Sequence, residues 1–269
     1  MCLIIMALSS HPRYPLVVAA NRDEFYARPT AGAAFWEDAP HVLAGRDLRE
    51  GGTWLGVSRH GRFAAVTNYR GPDSGIAEPV SRGRLVGDYL LGDAGAVDYL
   101  AQVASEAQCY RGFNLVAGTG GDLHYYANRD NAHPRRIESG VHGLSNHLLN
   151  TSWPKVERAK TRLRTLLEDD TIETDAVLDL LYDQTRAAEH ELPDTGIGSE
   201  RESQLSAIFI RTDSYGTRSS TVLLIDARGE VSFTERTFVA GRSHTQQNFR
   251  FRLTEMAAAT HGTGTHSQR

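Results

Sequence analysis

The chain has 269 residues, 40% of them apolar and 23% charged, enough to bury a core without disulfides or a structural metal; this excludes a fibrous or wholly disordered protein. Its 29 basic and 33 acidic residues give a net charge of −4, with no Lys/Arg-rich run, so nucleic acid is not an expected partner. Two cysteines, Cys2 and Cys109, fit a reducing compartment, and the absence of an apolar run of roughly 18 residues or a basic leader predicts a cytoplasmic protein without stable membrane insertion.

In chain order, residues 3 to 8 (LIIMAL) and 16 to 20 (LVVAA) are short apolar runs around a turn at Ser9-Ser10-His11-Pro12, which predicts a buried β-hairpin with Cys2 opening its first strand. Segments 53 to 58 and 62 to 67 form a second hairpin around His60-Gly61, after a Gly51-Gly52 turn. Residues 82 to 107 read as two helices interrupted between Gly92 and Gly95. Segments 112 to 117 and 122 to 127 make a third hairpin, with Gly118-Thr119-Gly120-Gly121 as its turn and no helix following that would make it a phosphate loop. After Ser152, Pro154 fits a first helical turn, and Val156, Ala159, Leu163, Leu166 and Leu167 share one face of a helix ending near Asp169-Asp170.

A further helix runs from about Thr174 through Leu181; 186 to 204 reads as a loop, and 206 to 211, 219 to 226 and 229 to 238 as strands. The pattern predicts an α+β protein with mostly antiparallel sheet. One domain is expected over residues 1–250, followed by a tail at 251–269 whose end, HGTGTHSQR, has a disordered composition.

Cys2 is the first candidate for chemistry. Methionine before a small residue is usually trimmed, which would leave Cys2 with a thiol beside a free α-amine, nucleophile and base in one residue. The alternative is a small buried apolar residue at the start of a strand. The strand LVVAA then runs straight into Asn21-Arg22-Asp23-Glu24. On a strand neighbouring Cys2, Arg22 would hold the thiolate and lower the thiol pKa, and Asp23 would orient the amine; the same four residues would equally serve as a solvated turn. Asn68 and Asn146 each end an apolar stretch and are candidate oxyanion donors, or turn caps. Arg218, before a strong late strand, is a candidate second positive charge or a surface residue. The eleven histidines show no metal-ligand spacing, so no metal site is expected.

Taken together, Met1-Cys2, Asn21 to Glu24 with Arg28-Pro29, Gly51-Gly52-Thr53-Trp54-Leu55-Gly56, Thr67-Asn68, Ser81-Arg82-Gly83, Gly143 to Asn146, Trp153-Pro154-Lys155-Val156, and Tyr215 to Thr221 with Glu235-Arg236 resemble the NRDE family over about residues 1 to 240. That family is similar in turn to the N-terminal-nucleophile hydrolases of the choloylglycine and penicillin-acylase type. The resemblance implies a four-layer αββα sandwich of two mostly antiparallel sheets, and a site composed of Cys2, Arg22, Asp23, Asn68, Asn146 and Arg218.

One departure stands out: those hydrolases space the early arginine three residues before the aspartate. Here Arg22 directly precedes Asp23, so the two should leave a strand on opposite faces unless a bulge intervenes. The expected ligand is a small molecule, an acyl amide or thioester needing no cofactor. The alternative implied by the family is a non-catalytic carrier of haem or acyl-CoA, with Cys2, His142 or His147 as the candidate haem ligand. The role of Glu24 is open.

Overall fold

Every position of Cys2–Leu8 is buried, because this strand, β1, is covered on both faces; its sequence is therefore apolar throughout instead of alternating. Ile4, Met6 and Leu8 enter one core and Leu3, Ile5 and Ala7 another. After a turn closed by the Ser9 N–H donating to Pro15 O at 2.9 Å, β2 (Leu16–Phe25) returns antiparallel with Cys2 opposite Arg22. The ladder does not stop at Ala20: Asn21, Arg22 and Asp23 continue it, all buried. The polar run is thus an interior strand end, not a solvated turn.

The computed structural model describes residues 2–71, 75–77, 79–130 and 132–254. After β2 come β3 (Thr30–Phe35), β4 (Val42–Asp47), β5 (Leu55–Ser58), β6 (Arg62–Asn68), α1 (Gly83–Leu91) and α2 (Ala96–Ser105). Then follow β7 (Phe113–Thr119), β8 (Asp122–Ala127), the two-residue β9 (Arg135–Arg136) and β10 (Gly140–Leu144). Helices α3 (Pro154–Leu166), α4 (Thr174–Leu181) and α5 (Ser199–Leu205) lead into β11 (Tyr215–Ile225), β12 (Glu230–Val239) and β13 (Arg242–Arg252).

The strands make two antiparallel sheets, ordered β10-β1-β2-β11-β12-β13 and β3-β4-β5-β6-β7-β8-β9. Helices α3 and α4 cover the outer face of the first, packing Val156, Ala159, Leu163, Val177 and Leu181 on Leu3, Ile5 and Ala19. Helices α1 and α2 cover the outer face of the second. The inner faces meet in a shared core that includes Ile4, Met6, Leu223 and Phe233 of the first sheet. The result is the expected α+β sandwich of four layers.

Five strands and one helix escaped the sequence pattern, the two-residue β9 among them. β3 and β10 are short and rich in glycine and alanine. β4 is a short run, VLAGRD, with glycine and two charged residues in its second half. β13 is an exposed edge strand whose sequence RSHTQQNFRFR is polar because water covers it. α5 lies inside the expected loop 186 to 204. Conversely, 206 to 211 is not a strand. Its apolar residues Ala207 to Ile210 are buried, but their backbone is satisfied singly: Phe209 N–H donates to Asp183 O, Ile208 O accepts from Asn21, and Ile210 N–H donates to the Thr217 hydroxyl. The expected domain edge at 250 falls within β13, and Thr254 N–H still bonds Arg59 O at 2.8 Å; residues 255–269, the rest of the expected tail, lie outside the described residues. Among the described residues no helix is long and apolar enough to cross a membrane.

The approach of α3 to β1 and β10 depends on Gly143, where a β-carbon would collide with Val156 Cγ1 and lie 3.2 Å from Ile5 Cδ1. Gly143→Val is expected to cost about 1–3 kcal/mol, read as a lower urea midpoint. An unchanged midpoint would show that α3 does not press on this strand pair.

Candidate active site

The first turn of chemistry is set by strand alternation. Cys2 shares the face of Ile4 and Met6, so its side chain points between the sheets, where it lines a cavity of about 670 Å³. Arg22, its direct ladder partner, faces the same way. Asp23 leaves β2 on the other side, toward the helices, with Thr217 Oγ1 donating to its Oδ1 at 2.7 Å. A bulge does occur nearby, but in β11 between Thr217 and Ser219. It leaves Arg22 and Asp23 on opposite faces and makes Arg218 the extra residue.

Arg22 reaches across to the second sheet, its Nη2 3.7 Å from Asp47 Oδ2 at the end of β4. Asp47 also holds Arg28 at 2.6 Å and accepts the backbone N–H groups of Arg49 and Glu50. Partial burial works against its ionisation, yet these donors keep its carboxyl below the usual range. Arg22 Nη1 is buried and makes no hydrogen bond among the described residues, leaving one donor edge uncommitted beside Cys2.

Burial pushes the Cys2 thiol above its ordinary range, and the Asp23 carboxylate adds to this; the positive charge of the chain's N-terminus, then Arg22 and the Asp23 backbone amide, pull it down without winning. Arg22 therefore acts in the direction expected from sequence, but desolvation outweighs it and the resting group is a thiol. Asp23 is likewise raised by burial, opposed first by the positive charge of the chain's N-terminus and then by Lys155 on α3, the Thr217 hydroxyl and Arg22.

The asparagines divide. Asn68, at the end of β6, lines the cavity. Asn146 is fully buried in the segment after β10; its Nδ2 donates to Asn68 O at 3.0 Å, and it is not among the cavity walls. The Ser145 hydroxyl sits 3.0 Å from Cys2 O and 3.2 Å from Asn146 Oδ1, donating to one at a time. Ser145 and Asn146 together thus tie the start of β1 to the end of β6, the first through Cys2 O and the second through Asn68 O. Arg218 lines the cavity, but its Nη1 lies 3.0–3.2 Å from the carbonyls of Phe25, Tyr26 and Arg28, bracing the β2–β3 connection at the rim.

Two buried groups were marked in the sequence only as members of the resemblance motifs, with no place in the expected site. Glu235 on β12 lies in the cavity wall, accepts Ala33 N–H from β3 at 2.6 Å and so pins one sheet to the other; burial raises its carboxyl above the usual range. Alternation of Val231, Phe233 and Glu235 was the available signal. Lys155, 2% exposed, had none in the helical period. Of the candidate haem ligands, only Cys2 lines the cavity. His142 contacts Glu138 O and Asn150 Nδ2 with its two ring nitrogens, and His147 contacts the Tyr69 and Thr151 hydroxyls. Among the described residues no cluster of three or more His, Cys, Asp or Glu could hold a metal.

A family model described as Transport and Golgi organisation 2 matches residues 1–240. The mouse Transport and Golgi organization 2 homolog is 37% identical over 261 residues, covering 89% of this chain and 94% of its own length. The human Transport and Golgi organization protein 2 homolog is 38% identical over 259 residues with the same coverage. Among solved structures, the C2A mutant of the conjugated bile acid hydrolase from Clostridium perfringens superposes with a TM-score of 0.50 over 97% of this chain and 100% of that one, at 9% identity. At that identity the likeness is one of fold, and the fold is N-terminal-nucleophile hydrolase-like.

If Arg22 opposes the burial of the thiol, Arg22→Met should move the pH profile of Cys2 alkylation by iodoacetamide further upward and slow it on the order of tenfold at about pH 7.5. A profile that stays put would place the guanidinium out of electrostatic reach of the sulfur.

Proposed function

We propose, from the premise that this chain belongs to the Transport and Golgi organisation 2 family, the NRDE family its motifs resemble, that it is a cysteine N-terminal-nucleophile hydrolase or acyltransferase acting on an amide or thioester of a small molecule. What carries this is the position of Cys2 at the open end of a central strand, its side chain on the cavity wall opposite Arg22 and with Asp23 one residue further along the neighbouring strand.

Removal of Met1 would give Cys2 an α-amine within reach of its own thiol. Because burial favours the protonated thiol at rest, the proton leaves the sulfur only as it attacks. The α-amine nitrogen takes that proton while Sγ bonds to the substrate carbonyl carbon. The carbonyl oxygen becomes an oxyanion, for which the Asn68 amide is the donor on the cavity wall. Collapse expels the amine or thiol, which carries away the proton from the α-ammonium and leaves an acyl-Cys2 thioester. Water, giving its proton to the α-amine, or an acceptor nucleophile then cleaves that thioester and restores the thiol. Asp23 orients the amine, Asn146 fixes Asn68, Arg22 faces an anionic substrate group or the transient thiolate, and Arg218 supports the rim.

A second reading has one observation in its favour: Arg22, Arg28, Arg82 and Arg218 all line the cavity, a set suited to an anionic ligand such as haem or acyl-CoA carried without reaction. Were haem the ligand, the Cys2 sulfur on the cavity wall would be the group to hold its iron.

Intact-protein mass spectrometry with a p-nitrophenyl ester probe distinguishes the two. An enzyme is acylated at Cys2 and turns over, Cys2→Ala abolishes both, and Asn68→Ala slows acylation by roughly 10²–10³-fold. Labelling confined to the exposed Cys109, or reversible binding with a Soret shift and no turnover, overturns the hydrolase reading.

A further inference from the structure

The outer face of the first sheet, behind the nucleophile, holds a buried cation without a hydrogen bond. Lys155 is the second residue of α3, whose first turn packs on β10 and β1. It is 2% exposed, and its Nζ makes no hydrogen bond among the described residues. A helix N-terminus is moreover a poor place for a positive charge, since the first-turn dipole opposes it. Nothing about packing alone asks for a lysine at this point.

The groups facing it come from every neighbouring element. Asp23 on β2 and Cys2 on β1 act on it from the sheet, and Arg70 after β6 and Glu202 on α5 from the outer side; Tyr215 on β11 completes the surround of Asp23. Arg70, Lys155 and Glu202 line one crevice of about 10 Å³ together with Trp153. Within this group Arg70 and Glu202 are already neutralised against each other at 2.6 Å. Asp23, which also accepts the Thr217 hydroxyl, is the carboxylate that acts most strongly on Lys155.

We propose that Lys155 is a positioning residue which shares the Asp23 carboxylate with the α-amine of a processed Cys2, and so holds that amine in its neutral, proton-accepting form. This rests on the N-terminal-nucleophile reading given above. Two cations and one anion buried together carry an unbalanced positive charge, which the site relieves by releasing a proton from one of the amines. Burial pushes Lys155 down to about 8, against the pull of Asp23, so near neutral pH the lysine retains its charge, and that charge works against protonation of an α-amine sharing the same carboxylate. The same cation also favours the thiolate as it forms, through its attraction to Cys2.

The α-amine is followed apart from the thiol by carrying Cys2→Ser and measuring carbamylation of the N-terminus by cyanate against pH, with the N-terminal peptide assigned by mass spectrometry and folding checked by thermal unfolding. Adding Lys155→Met or Lys155→Gln should raise the midpoint by about one pH unit or more, a roughly tenfold loss of neutral amine below it. Lys155→Arg, which keeps the charge, should leave it in place. A midpoint that is the same with methionine, glutamine and lysine overturns the pairing while leaving acylation of Cys2 untouched. A midpoint that shifts as expected while the wild-type Cys2 accepts no acyl group supports the pairing and overturns the hydrolase reading instead. Retention of Met1 overturns both.

Discussion

The pleat of β2 is the constraint on which the site depends. A strand delivers consecutive side chains to opposite faces, so Arg22 and Asp23, adjacent in sequence, serve two different compartments: the cavity between the sheets and the layer under the helices. Cys2, paired directly with Arg22, presents its sulfur to the first; under the proposed function, removal of Met1 would set its α-amine beside the second. A nucleophile that is also its own base needs control of both atoms, and one strand supplies both without a loop.

Ending a strand in charged residues inside a protein is costly, and the surrounding structure shows how the cost is met. Arg22 spans the gap to Asp47 of the other sheet, Asp23 takes the Thr217 hydroxyl and the field of Lys155, and Glu235 takes the Ala33 amide. Several of these contacts join elements far apart in the chain, so they fix the two sheets relative to one another at the end where the cavity opens. Arg218, displaced by the β11 bulge, serves the same purpose at the rim. The polar groups that shape the cavity are thus also the ones that hold it open.

The protonation of the site follows from the same burial. A thiolate at rest would need a solvated or strongly cationic setting; Cys2 has Arg22 and other positive charges in range, but desolvation at the strand end outweighs them and the thiol form prevails. Under the proposed function this is workable because the base is covalently attached, so the proton moves in step with bond formation and no stored thiolate is exposed to oxidation.

Much of this was already fixed by the chain itself. Short continuous apolar runs bounded by turn signals read as strands covered on both sides, so LIIMAL and LVVAA declared the central hairpin, and the periodic apolar residues declared α3 and α4; the motifs from Cys2 to Arg236 pointed to the family, and adjacency alone required Arg22 and Asp23 to part. Tertiary structure decided whether the polar run after Ala20 faced water or the interior, since a local sequence carries no information about what packs over it. It also separated Asn68 from Asn146, identical in residue type and in their place after an apolar stretch, by giving one the cavity and the other a backbone carbonyl. And it brought Lys155 behind Asp23 from 132 positions away in the chain, a juxtaposition set by how α3 docks on the sheet and so invisible to any reading of spacing.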